Sequence, residues 1–418
     1  MSKKSVCIVI GGHITCCPRM MKMAVALAGA GYGVSIVSPI YGEGVYEADL
    51  RFLADPRWRS APVKMVRRFQ PWTYYRTGLR MKLARSLLKR GDLGRRSLVS
   101  LGRGYTRAFD DLLKWALAQP ADLYMGGTAG GLAVAARAAE LHGVPFALDL
   151  EDFHSAEQDP SPGADLSHAI IAEIERRVLS RACFLTVGSQ AIGETYAAHY
   201  GVSLQPINNV FTLPTTPPQF VPGPAGHLKL VWLSQTLGPG RGIEAAIEAL
   251  GKAQIQAMLT VRGNPTPGYV NELVALATRV APLLRMEHSR PDMTKTVVEL
   301  CRGNDVGLAL EQAHILNRDI CLCNKPFTYM LAGLAVAFTD TAGQRHLARD
   351  LGEGALLFKI GDIEAQATGF RHWAKNPAAL LAAKQAAWNA AARRWHWEHP
   401  EERGKALALV RQALGEAK

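Results

Sequence analysis

The stretch Asn324-Lys325-Pro326-Phe327-Thr328-Tyr329-Met330-Leu331-Ala332-Gly333-Leu334-Ala335-Val336 decides how the chain reads. A lysine opens an amphipathic turn, Gly333 closes it, and a short apolar run follows at once. The pattern predicts a helix, a glycine stop and a buried β-strand, with Lys325 at the helix's amino end. Such an end offers free backbone N–H groups and positive partial charge, which suits an anionic ligand. An ordinary surface helix of an α/β domain is the competing reading, and the flanking chain has to decide.

Upstream, residues 228–233 read as a strand and Gly238-Pro239-Gly240-Arg241-Gly242 as a glycine-rich loop, with a helix at 243–250. Further strands are expected at 258–261, running into Arg262, at 306–310, running into Glu311, and at 334–338. Residues 380–418 read as helical, with Trp388, Trp395 and Trp397 and a break near Pro400. Before this half, Pro214, Pro217, Pro218, Pro222 and Pro224 crowd an aperiodic segment that reads as an interdomain linker.

The amino-terminal half repeats the plan. Residues 6–10 form an expected strand, Gly11-Gly12-His13 turns out of it, and Pro18 starts a helix over 19–30 with Met20, Met23, Ala24 and Leu27 on one face. A second strand at 34–37 completes the opening of a doubly wound sheet, whose ligand crevice lies at the carboxyl ends of the strands. The glycines do not spell GxGxxG, so the dinucleotide fingerprint is absent. They admit a ligand close to the backbone, or simply a tight turn. Strands at 122–125 and 146–148 bracket a small-residue helix at 129–141. The second runs into Asp149, Glu151, Asp152 and His154, titratable groups expected at the crevice. One of them, or His13, is a candidate general base or an orienter of an acceptor hydroxyl. The alternative is an acidic loop that only caps the next helix.

The chain has 418 residues and a net charge of +12, enough length for two or three domains with buried cores. No apolar run reaches the roughly 18–20 residues that span a bilayer, so a cytoplasmic protein is expected. Seven cysteines in mostly apolar contexts favour reduced thiols over a disulfide framework. The charge is localised. Residues 63–107 hold thirteen Lys and Arg against the single acid Asp92, which accounts for the whole surplus. Phe69, Trp72, Tyr74 and Tyr75 lie among the arginines, and Leu79, Leu83, Leu87 and Leu88 recur at helical spacing between Arg80, Lys82, Arg85, Lys89 and Arg90. The mixture suits a helix lying on anionic lipid, where each basic residue contributes about 1 kcal/mol. Anionic vesicles should then bind at low salt and release as salt rises. A packed helix with a solvated basic face is the alternative. No nucleic-acid module is recognisable, and no nucleic acid is expected as a partner.

Two similar α/β halves, a proline-rich linker and a long terminal helical region resemble the GT-B glycosyltransferases, especially the family 4 (group 1) branch. Four segments carry the resemblance. Pro18-Arg19 with Lys22, Ala24, Leu27 and Gly31 is similar to that branch's first helix, and residues 186–196 followed by Asn208-Asn209 to the end of its first domain. Gly240-Arg241-Gly242 resembles its donor-diphosphate loop, and residues 324–336 its Lys-x-x-Glu-Tyr-Met-x-x-Gly-x-x-Val signature.

The resemblance implies an α/β fold of GT-B type: two Rossmann-like domains facing across a cleft, with a carboxy-terminal helix crossing back. The expected domains are 1–208 for the acceptor, with 63–107 as a membrane-contacting segment, then a linker at 209–226. A nucleotide-sugar domain at 227–380 follows, and helices at 381–418 packing toward the first domain. The implied activity is transfer of a sugar, of hexosyltransferase type, from a nucleotide-diphosphate donor, UDP-sugar first, to a lipid-linked or polysaccharide acceptor with retention. The nucleotide-sugar serves as co-substrate, with no cofactor and no metal, at the cytoplasmic face of a membrane. Donor contacts are expected from Gly240, Arg241, Gly242, Arg262, Glu311, Asn324, Lys325 and Thr328, and acceptor contacts from Gly11, Gly12 and Arg19. Lys325→Ala is expected to remove nucleotide binding while leaving the free protein's melting temperature nearly unchanged. The branch places two glutamates eight residues apart where this chain has Ile320 and Thr328. Losing the second, which holds the ribose hydroxyls, is expected to weaken the donor by about 1–3 kcal/mol unless Asn324 or Glu311 replaces it. Two other readings remain: a catalytically degenerate GT-B protein acting as a nucleotide-binding or scaffold partner, and a GT-B epimerase, whose signature residues match less well.

Overall fold

Tyr329 stands on Gly307, and that contact seats the signature helix on its sheet. The computed structural model describes residues 3–158, 161–290 and 296–416, and the backbone alone at Pro162. The chain divides into one unit of Met1–Asn208, Ile315–Asn317 and Pro400–Lys418, and another of Asn209–His314 and Arg318–His399.

Among the described residues, unit 1 holds a seven-stranded parallel sheet. Its strands are β1 (Ser5–Ile10), β2 (Gly33–Ile40), β3 (Trp58–Lys64), β4 (Leu123–Gly127), β5 (Phe146–Leu150), β6 (Leu185–Val187) and β7 (Gln205–Pro206), in the order β3-β2-β1-β4-β5-β6-β7. Helices cover both faces of such a sheet, so its central strands must be apolar throughout. β1 obeys this, with Val6 to Ile10 all fully buried. Strand order reverses between β1 and β4, the place where ligands enter open α/β sheets. The helix Pro18–Gly29 begins with proline at its first position, and the carboxy-terminal helix Lys405–Ala413 packs against it. Glu402 ties this tail down by accepting hydrogen bonds from the backbone N–H and the side-chain amide of Asn208.

Unit 2 holds a six-stranded parallel sheet of β8 (His227–Leu237), β9 (Gln256–Pro265), β10 (Leu284–Ser289), β11 (Val306–Ala309), β12 (Ala335–Thr339) and β13 (Ala355–Phe358), ordered β10-β9-β8-β11-β12-β13. Here the reversal lies between β8 and β11. The opening stretch forms the helix Lys325–Leu331, and then β12. Its stop is a Schellman motif. Gly333, at φ +79°, donates to Met330 O, and Leu334 donates to Tyr329 O. Tyr329 is fully buried, and its hydroxyl donates to Leu308 O and accepts from Leu233 N, linking β8 to β11.

Two expectations change. β8 and β9 run longer than their apolar cores, because a bulge between Leu233 and Thr236 lets pairing continue to Leu237 and Pro265; Arg262 therefore sits within β9 and not at its end. The basic helix starts eight residues earlier than its leucine spacing suggests, at Pro71, and ends at Leu88. Residues 381–399 belong to unit 2 and Pro400–Lys418 to unit 1. The helix Pro377–Arg393 buries a face of small residues. Ala383, Ala387, Ala390 and Ala391 are buried, and Lys384 pairs with Asp305 at 2.9 Å.

A β-carbon added to Gly307 would lie 2.0 Å from Tyr329 Cγ. Gly307→Ala should therefore destabilise unit 2 by about 1–3 kcal/mol, read as a lowered urea midpoint with unchanged slope. An unshifted midpoint would show that the Tyr329 contact is not tight.

Candidate functional site

In unit 2 the glycine loop and the signature helix meet at the switch point. Gly242 has φ +76°, and a β-carbon there would lie 2.9 Å from Leu310 Cβ, so the loop rests on the chain just past β11. Gly240, also at positive φ, has open space where a side chain would be. Arg241 is partly exposed, and its positive charge acts on Lys325. These features form a cationic corner beside backbone N–H groups, able to hold a dianion.

Lys325 is not a surface residue. It is buried, pairs with Glu311 Oε1, and its ammonium lies 5.5 Å from the centre of the Trp232 ring. Burial is the largest influence and would lower its pKa, but the Glu311 charge, Cys323 and the Glu311 hydrogen bond together raise it. Glu311 is pushed up by burial and pulled down further by Lys325, settling at about 2. Its carboxylate also accepts from Cys323 Sγ at 3.3 Å and lies 3.7 Å from Arg318. Glu311, expected among the donor contacts, is in this structure the buried counter-ion of Lys325. Thr328 is buried, and its hydroxyl donates to Asn324 O one turn back. Asn324 precedes the helix, partly exposed, with no side-chain cap bond. Arg262 has a buried Nε without a partner, as does Trp232 at Nε1, two donors that a ligand could satisfy. Another cavity of unit 2, about 780 Å³, lies at the opposite, amino-terminal ends of the strands among Pro217, Pro218 and Pro222, away from this corner.

In unit 1 the same device appears at β1 and β4. A β-carbon on Gly11 would lie 2.3 Å from Gly130 Cα, so the turn after β1 presses on the first turn of the helix Thr128–His142. Thr128, β-branched, is held at φ +57°, and its hydroxyl accepts from Gly11 N at 3.0 Å. Such strain persists only where the surroundings impose it. A cavity of about 280 Å³ opens here, lined by Gly11, Gly12, Thr128, Glu151, Asp152 and His154 among others.

The predicted polar residues divide in two. Arg19 and Asp149 are buried against each other. Arg19 grips both carboxylate oxygens and donates to Val187 O and Ile207 O, while Thr186 donates to Asp149. Arg19, expected at the acceptor, and Asp149, expected in catalysis, thus lie inside the protein with their charges spent on each other. They form an internal strut joining the first helix to β5, β6 and the chain after β7. The others line or border the cavity. Burial and then the Asp152 charge push Glu151 up to about 7, suited to proton transfer near neutrality. Asp152 accepts from Asn317 Nδ2 at 2.9 Å. His13 Nδ1 lies 2.6 Å from Asp49 Oδ2, and its ring lies 4.1 Å from that of Tyr41. Burial pushes the Asp49 carboxyl up, but hydrogen bonds from His13 and Thr15 hold it below its usual range. Asp49 carries no sequence signal: it sits in a charged surface-like helix and becomes a partner only when that helix folds onto the turn after β1. Glu175 was likewise unforeseen. It is buried behind His154 and accepts from Tyr196 and Tyr200. Among the described residues no group of three His, Cys, Asp or Glu could hold a metal ion.

His154 is buried with Nδ1 3.1 Å from Glu157 Oε2 and Nε2 without a partner. Burial alone would lower its pKa, but the Glu157 bond and the charges of Glu157, Glu175 and Asp152 raise it from 6.5 to about 9. A base raised on folding stabilises fully below its unfolded value and loses that contribution as pH climbs through the folded one. The stability margin of the wild type over His154→Gln should thus shrink between pH 6.5 and 9 in paired melting curves; a constant margin would contradict the charged state. Lys325→Ala, contrary to the expectation from sequence, should cost the free protein roughly 3–5 kcal/mol, because Glu311 is left buried without its cation. Adding Glu311→Gln should restore part of the loss, and calorimetry of both variants reads the difference.

The model of the glycosyl transferase 4-like domain matches residues 17–214. No curated protein sequence matches the chain. Among solved structures, HepE of Anabaena in complex with UDP and glucose is similar, at 16% identity and TM-score 0.67, covering 98% of this chain and 99% of that one. Sucrose-phosphate synthase of Thermosynechococcus elongatus has 13% identity and TM-score 0.67 over 99% and 100% of the two chains. A glycosyltransferase of Rickettsia africae has 10% identity and TM-score 0.63 over the same shares. These likenesses are of fold, and the family match covers residues 17–214, nearly all of it in unit 1. Residues 17–214 match a glycosyl transferase 4-like domain, and the chain shares the GT-B fold of these structures.

Proposed function

We propose that the chain moves a sugar from a UDP-sugar held by unit 2 to a hydroxyl of a lipid-linked or polysaccharide acceptor held by unit 1, with retention. The carrying observation is the cationic corner of unit 2, where Arg241 on the glycine loop and Lys325 at the head of the signature helix share one field. As the bond from the sugar to the diphosphate breaks, charge gathers on the leaving phosphate oxygen. Two fixed cations and backbone N–H groups stabilise it most when that charge is greatest, which is the condition for lowering a barrier. The proposal gives this neutralisation to Arg241 and Lys325 and not to a metal ion. UDP as the nucleotide is supported by HepE, solved with UDP and with UDP-glucose.

Glu311 tunes the grip. Paired with Lys325 in the free protein, it keeps the ammonium charged in a buried place and aligned for the incoming phosphate. In unit 1, Glu151 or the His13–Asp49 pair takes the acceptor's proton, and His154 Nε2–H donates to an acceptor oxygen. Arg19 and Asp149 act at a distance by holding that wall in place. No helix among the described residues is long and apolar enough to cross a membrane. The proposal adds a cytoplasmic protein attached peripherally to a membrane through residues 63–107. A second reading, a nucleotide-binding protein without turnover, has one observation in its favour: Thr328 offers the ribose no carboxylate.

Thermal shift with UDP, GDP and ADP, followed by release of free UDP from UDP-sugars, separates the two. UDP at a hundred times its Kd should stabilise the protein by about 2.7 kcal/mol. Arg241→Ala should weaken UDP about tenfold or more with little change in the free protein's melting temperature, since Arg241 is partly exposed and forms no ion pair among the described residues. Stabilisation without turnover selects the second reading. No shift with any nucleotide removes the diphosphate assignment.

A further inference from the structure

The helix Pro71–Leu88 is amphipathic the wrong way round for a packed helix. Its inner face is held by Thr77 and Leu88, both buried, and by Arg80 and Arg85, which bind Asp110, Asp111, Gly104 O and Ser167. Its outer face carries Trp72, Tyr75, Leu79, Leu83 and Leu87, exposed by 79%, 56%, 60%, 59% and 61%. The spacing of three and then four residues puts all five in one stripe along the helix. Phe69, 48% exposed, extends it just before the helix begins. A run of large apolar side chains this long is well beyond the scattered exposure normal on a soluble surface. Lys82, Lys89 and Arg90 flank it, exposed, and form no ion pair among the described residues.

We infer that this stripe seats on an anionic lipid bilayer, with Trp72, Leu79, Leu83 and Leu87 among the acyl chains and Lys82, Lys89 and Arg90 at the headgroups. The geometry is that of a helix lying in the plane of the interface. Charge decides between a bilayer and a second copy of this chain. Residues 63–107 contain only Asp92 as an acid, and the nearby Asp110 and Asp111 are taken by Arg76, Arg80 and Arg103. Two such faces brought together would oppose cation to cation, while anionic headgroups complement them. Aromatic rings at Phe69, Trp72 and Tyr75 gather at one end of the stripe, as side chains that favour the membrane interface do. The inference deepens the membrane attachment in the proposed function. It adds an apolar, inserted component to what charge alone would make purely electrostatic, and it is independent of the donor site, which nucleotide binding tests separately.

The test is co-sedimentation of the full chain with vesicles of mixed phosphatidylcholine and phosphatidylglycerol, against phosphatidylcholine alone. The triple variant Trp72→Ser, Leu79→Ser and Leu83→Ser keeps the net charge, and all three side chains are exposed, so its melting curve should match the wild type. Its partition into the anionic vesicles should fall tenfold or more. Wild-type binding should survive in part at salt that screens exposed charges, about 0.5 M. Brominated acyl chains should quench a tryptophan component that Trp72→Ser lacks. Equal partition of triple variant and wild type, complete release by salt, or absence of the Trp72 quenching would overturn the inference. So would a dimer in sedimentation that the triple variant dissolves, because the stripe would then belong to a second copy.

Discussion

Close approach of backbone to backbone at two glycines governs both halves of this protein. In unit 1, Gly11 meets Gly130 with no room for a β-carbon on either; in unit 2, Gly242 lies against Leu310. Each contact sits where the strand order reverses, between β1 and β4 or between β8 and β11. A side chain there would push the turn outward and fill the space that a ligand needs. The same constraint thus shapes the sheet edge and keeps it open to chemistry.

Around these openings the protein buries charge in pairs. Arg19 with Asp149 and Lys325 with Glu311 resemble each other on paper, yet they serve different ends. Arg19 uses its donors on Asp149 and two backbone carbonyls, which leaves a rigid brace. Lys325 has one carboxylate partner, a tryptophan face and the neighbouring charge of Arg241, so its field still reaches the loop. Breaking either pair strands a buried charge, and for that reason neither behaves as a surface residue under substitution. His154 extends the theme: three carboxylates around it hold a proton that burial would otherwise expel.

Much of the architecture was legible because it rests on periodicity. The apolar runs of β1, β4, β11 and β12, the glycine stop at Gly333 and the proline start at Pro18 are local signals, and the elements form where those signals lie. The glycine loop at 238–242 and the signature at 324–336 were legible as motifs. What they touch was not. Nothing in the order of residues tells that Lys325 turns inward to Glu311, that Thr328 bonds back to Asn324 O, or that Asp49 closes on His13. Each depends on where a distant element packs.

The basic segment shows the division most plainly. Its composition alone determined that residues 63–107 carry the chain's whole surplus of charge, and its leucine spacing determined a helix. Which side of that helix meets the protein was decided by tertiary structure, through Thr77, Leu88 and the Asp110–Asp111 pair that captures Arg76, Arg80 and Arg103. A helical pattern specifies which residues share a face, since that follows from 3.6 residues per turn. It cannot specify which face is covered when both carry apolar and basic side chains. Only the packed carboxylates settle that choice, because an arginine neutralised against the protein turns its own face inward and leaves the leucines outside.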